Sequence, residues 1–81
     1  MEYVVLFFSH FGAVRFHRDY KGVFRDAHLM PVPRSLSSSC GTCVAFTAHG
    51  DMPEISHELY EIEGIVEKND TGYTYIYKAD G

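Results

Sequence analysis

The 81 residues suffice for one modest core, near the lower limit at which a chain folds without disulfide or metal staples. Hydrophobic residues make up 46% and aromatic residues 15%, which excludes a disordered polar chain. A formal charge of −4, with its seven Lys and Arg scattered, excludes a basic nucleic-acid surface. No run approaches the roughly 20 apolar residues of a membrane span. The start, Met1-Glu2-Tyr3, lacks the basic region of a signal peptide. The expected setting is therefore the cytoplasm, where thiols stay reduced.

Tyr3 to Phe8 is a continuous apolar run of β-branched and aromatic residues, as in a central strand. Ser9 is placed as an N-cap. Ala13, Phe16, Tyr20 and Phe24 then recur at helical spacing, with Arg15, Arg18 and Lys21 on the outer face and Gly22 near the helix end. A second strand covers about Ala27 to Val32 and is stopped by Pro31 and Pro33. After a polar connector, Cys43 to Thr47 reads as a third strand closed by His49-Gly50.

Asp51 with Glu54 forms a capping-box pattern, with Pro53 inside the first turn. Ile55, Leu59, Ile62 and Val66 trace a helical stripe behind it, and Glu61, Glu63, Glu67 and Asp70 read as its solvated face. A turn at 68–72 leads to a last strand, Tyr73 to Tyr77, whose alternation puts Tyr73, Tyr75 and Tyr77 on one face. The order β-α-β-β-α-β predicts a single ferredoxin-like α+β domain over residues 1–81. It has a four-stranded antiparallel sheet with two helices on one face.

Cys40 and Cys43 are the only cysteines, and they stand at C-x-x-C spacing in or beside the least regular segment. Thiols used for packing usually sit inside apolar runs, whereas connectors carry chemistry. Cys40 is thus the candidate reactive residue. Cys43, at the start of a strand, either packs or resolves an adduct on Cys40. One C-x-x-C supplies two ligands where closed zinc sites take four. His17, His28, His49 and His57 show no ligand spacing, so no metal or other cofactor is expected. Ser37, Ser38 and Ser39 read as turn formers.

The order of elements, the Pro31-Val32-Pro33-Arg34 step and Ser37-Ser38-Ser39-Cys40-Gly41 together resemble the putative selenium/sulfur (Se/S) carrier protein-like family. That is a group of short bacterial and archaeal proteins. The resemblance implies a ferredoxin-like fold and a cysteine that carries sulfur or selenium. The matching position is Cys40, framed by Pro31, Pro33, Arg34 and Gly41; Cys43 lies outside the shared pattern.

In the expected topology the first two strands run in the same direction, so their C-terminal ends share one edge of the sheet. Ser9 and His10 then lie beside the connector, the 68–72 turn reaches the same edge, and Cys40 comes within range of His10 and Arg34. A helix N-terminus and nearby cations favour thiolate. Backbone N–H groups from Ser37 through Ser39 to Gly41 offer a nest for an anionic adduct.

The function expected is a carrier holding a persulfide or selenosulfide on Cys40. It is not an enzyme, and its partners are donor and acceptor enzymes. A thiol–disulfide module using Cys40 and Cys43 and a ferredoxin-like binding module remain open, as does a homodimer formed through the tyrosine face.

Overall fold

A computed structural model describes residues 1–50 and 52–80. Its elements are β1 (Glu2–Phe7), α1 (His10–Tyr20), β2 (Arg25–Pro31), β3 (Thr42–Thr47), β4 (Ile62–Asn69) and β5 (Gly72–Lys78). The strands form one sheet in the order β2-β3-β1-β4-β5, each pair of neighbours antiparallel. The first four expected elements form close to their expected places, as does the last strand.

The four-stranded, two-helix ferredoxin-like arrangement does not form. Among the described residues a single helix packs on a five-stranded sheet, because the stretch expected to be the second helix is an irregular segment followed by a strand. Ile62, Ile65 and Val66 suit a strand buried on both sides, and Gly64 weakens a helix at its middle. Gly64 lies so close under Tyr75 that a Cβ there would sit 2.9 Å from the tyrosine ring. Pairing with β1 and β5 then satisfies both edges of β4. Asp51 of the capping pattern lies outside the described residues; Pro53 and Glu54 lie in the irregular segment.

Because β1 and β2 are both antiparallel to β3, they run in the same direction, and the expected shared edge exists. The 68–72 turn is not on it. Lys68 pairs with Glu2 at the start of β1, so that turn lies at the opposite edge.

Both faces of β1 are buried. On one face Tyr3, Val5 and Phe7 meet α1. Phe16 is the hub of this core, with ring centroids 5.6 Å from Phe7, 4.6 Å from Tyr20, 6.3 Å from Phe46 and 5.3 Å from Tyr60. On the other face Val4, Leu6, Cys43 and Val66 are covered by Val32 and Leu36 of the connector, with Met30, Ala45 and Tyr73.

The three tyrosines of β5 do not share a face. Ile65 pairs with Tyr77 and Val66 with Tyr75, so Ile76 is an extra residue that reverses the alternation. Tyr77 turns to the helix side, its ring 3.6 Å from that of His57, while Tyr73 packs on the other face.

Gly12 lets α1 approach the 57–61 turn, since any Cβ there would collide with the carbonyl oxygen of Tyr60. Gly12→Ala should lower stability by about 1–3 kcal/mol or more. Gly22→Ala, with open space around it, should change it by no more than roughly 0.5 kcal/mol; thermal melts of the two variants check the contrast.

Tyr60 is buried and donates its hydroxyl to Asp19 Oδ2 at 2.8 Å. Burial first, then this bond, push the phenol from 10.0 up to about 12. A raised acid stabilises the fold below its unfolded value, and that contribution is lost as pH climbs from 10.0 to about 12. Urea midpoints should therefore fall across that window, and Tyr60→Phe should flatten the upper part of the fall.

Candidate functional site

The site is assembled at the edge where β1 and β2 end and β3 and β4 begin. After Phe7 the chain leaves the sheet and Ser9 adopts an extended conformation. Its Oγ accepts the Gly12 N–H at 3.1 Å and so caps α1. His10 opens the helix, and its Nδ1 shares a hydrogen bond with Thr42 Oγ1 at 3.3 Å. Thr42 is the first residue of β3 and stands two residues after Cys40.

The connector between β2 and β3 is closed at its neck by the Val32 N–H donating to the Gly41 carbonyl at 3.1 Å. A turn follows Pro33, with the Leu36 N–H donating to its carbonyl at 3.0 Å. Gly41 takes a φ of 75°, a left-handed conformation in which a side chain would be strained. Between these points the serines reach outward to the sheet. Ser38 Oγ donates to the Phe7 carbonyl at 2.9 Å, pinning the connector to the end of β1. Ser39 donates its N–H and its hydroxyl to the two oxygens of Glu63, at 2.8 and 3.1 Å, pinning it to β4. Cys40 follows directly.

The two thiols occupy different environments. Cys40 is half-buried against the helix-side core. Its thiol donates to the Thr42 carbonyl at 3.2 Å, and the Thr42 N–H donates to its Sγ at 3.5 Å. Cys43 is fully buried in the cluster on the other face, with its Sγ 3.5 Å from the Met30 carbonyl and 3.7 Å from that of Pro31. Burial, with a smaller contribution from Cys40, pushes the Cys43 thiol from 9.0 up to about 11.

The structure thus gathers His10, Ser39, Cys40 and Gly41 around Thr42 and the connector, with Ser9 supporting them through the helix cap. Arg34 is exposed in the turn after Pro33 and makes no hydrogen bond or ion pair among the described residues. The backbone nest is partly occupied from within, since the Ser39 N–H is bound to Glu63. Among the described residues no group of three or more His, Cys, Asp or Glu is placed to hold a metal. No helix among them is long and apolar enough to cross a membrane.

Two site residues escape the sequence reading. Thr42 carries no motif. Glu63 reads as a solvated helix face until its segment is recognised as a strand. The signal for that was the glycine beside it and the β-branched residues that follow.

Iodoacetamide at mildly alkaline pH should alkylate Cys40 in the native protein and leave Cys43 unmodified until denaturant is added. Peptide mass spectrometry reads both sites in one digest, and native labelling of Cys43 would contradict its burial.

No curated protein and no solved structure matches the chain. A family match spans residues 2–78, from the first residue of β1 to the last of β5. The chain belongs to the putative Se/S carrier protein-like family.

Proposed function

We propose that Cys40 is the attachment point for one sulfur or selenium atom, which the protein accepts from a donor enzyme and passes to an acceptor enzyme in the cytoplasm. The observation that carries this reading is the contrast between the thiols: Cys40 is reachable on an anchored connector, and Cys43 is sealed in the core. Family membership supports the choice of cargo.

In the loading step the Cys40 thiolate attacks the terminal sulfur of a donor persulfide. A new S–S bond forms, the donor S–S bond breaks, and the donor thiolate leaves. Delivery is the same exchange in reverse, with an acceptor nucleophile attacking the terminal atom and Cys40 leaving as thiolate. Sulfane sulfur moves without net oxidation, and a selenium atom at the same level moves likewise to give the selenosulfide. The Thr42 N–H, already directed at Sγ, and the N-terminus of α1 supply the local positive potential. Phe8 and Phe11 flank this edge with 42% and 68% of their surfaces exposed, and give an entering partner an apolar rim.

The redox alternative needs a Cys43 thiolate within reach of the adduct. Its burial, its carbonyl contacts and its raised ionisation speak against that role, so Cys43 is assigned to packing.

Intact-mass spectrometry after exposure to a persulfide (R–S–SH) or to a terminal-selenium selenosulfide (R–S–SeH), each of which releases R–S⁻ on transfer, tests the proposal. Wild type should gain about 32 Da for sulfur or about 80 Da for selenium. Cys40→Ser should gain nothing, and Cys43→Ala should retain the adduct. A loss of about two mass units that needs both cysteines would replace the carrier reading with a disulfide switch.

A further inference from the structure

We propose that Glu63 is the positioning residue of the Cys40 site, an inference that rests on reading Cys40 as the attachment point. The register of β4 on β1 is regular from Lys68 opposite Glu2 to Gly64 opposite Leu6, and then Ile62 pairs with Phe7. Glu63 is the extra residue of a bulge. In an unbroken register Glu63 would stand opposite Phe7 and share its face, the apolar core around Phe16. A bulge re-aims a side chain, and this one turns the carboxylate toward the connector. The bulged backbone is itself tied down, since the Ala79 N–H donates to the Glu63 carbonyl at 2.9 Å.

The contact that results is specific. One carboxylate receives two donors of one residue, the Ser39 N–H at 2.8 Å and its hydroxyl at 3.1 Å. Hydrogen bonds to an ionised acceptor are roughly twice as strong as neutral ones. Ser39 precedes Cys40, so this grip sets the backbone from which the thiol projects. Ser38 holds the other side on β1, and Val32 with Gly41 closes the neck. Without Glu63 the connector keeps its tie to β1, its neck and the packing of Val32 and Leu36, and loses its only side-chain hydrogen bonds to β4 among the described residues. Cys40 then leaves its seat against the core more often, while the interior under it is untouched.

The two cysteines make the test internal, because Cys43 reports general loosening and Cys40 reports the connector. Iodoacetamide alkylation rates of both should be followed in wild type, Glu63→Gln, Glu63→Ala and Ser39→Ala. Glu63→Ala should speed Cys40 alkylation by roughly five- to tenfold, the loss expected for hydrogen bonds to a charged group at a partly exposed site. Glu63→Gln, of the same shape and able to accept one donor, should give an intermediate rate even if Glu63→Ala folds poorly. Cys43 should remain protected throughout.

An unchanged Cys40 rate in Glu63→Gln and Glu63→Ala would overturn the proposal. So would parallel exposure of Cys43, which would make Glu63 a general stabilising residue. Alkylation needs no sulfur or selenium donor, so these rates decide the role of Glu63 independently. A wild-type protein that takes up no chalcogen would remove the carrier reading alone.

Discussion

The structure depends on the burial of β1 on both faces. Tyr3, Val5 and Phe7 on one side and Val4 and Leu6 on the other are all withdrawn from water, so the chain must supply two covers. Burying apolar surface is the largest favourable term available to so short a chain. Helix α1 provides one cover through Phe16. Among the described residues no second helix forms, and the other cover comes from the connector, through Val32 and Leu36. The segment that bears Cys40 therefore also closes part of the core, and its conformation is held by packing as well as by hydrogen bonds.

This double duty explains why a loop rich in serine and proline can hold a thiol in a defined place. Side chains of three successive residues engage three different strands: Ser38 reaches the end of β1, Ser39 reaches β4 and Cys40 reaches the start of β3. Loops are the usual carriers of chemistry when a rigid scaffold positions them. Here the anchoring hydrogen bonds tie the connector to three strands, so it is held at several points along its length.

Much of this was legible in the chain. The apolar run to Phe7, the Ser9 cap and the spacing of Ala13, Phe16 and Tyr20 report local preferences, and tertiary packing agrees with them. The shared edge of β1 and β2 was expected from a ferredoxin-like topology that does not form, and it arises here because both strands are antiparallel to β3. The second helix failed because Ile55, Leu59, Ile62 and Val66 fit a helical stripe by spacing, while Gly64 and the strand partners on both sides favour extension. Periodicity describes one segment; the open edge of β1 that β4 fills belongs to a segment more than fifty residues earlier. The same limit concealed Glu63, whose aim is set by a bulge that only pairing creates. Tyr77 parted from Tyr73 for the equivalent reason, through the extra residue at Ile76.

The separation of the two thiols also bears on oxidative damage. If an oxidant converts Cys40 to a sulfenic acid, the nearest thiol in sequence belongs to the cluster on the far face of the sheet. Sulfenic acids are rescued by condensing with a thiol, and otherwise advance to sulfinic and sulfonic forms that are largely irreversible. Burial of Cys43 on that face disfavours such a rescue within the C-x-x-C. Small thiols arriving from solution are then the readier partners for an oxidised Cys40.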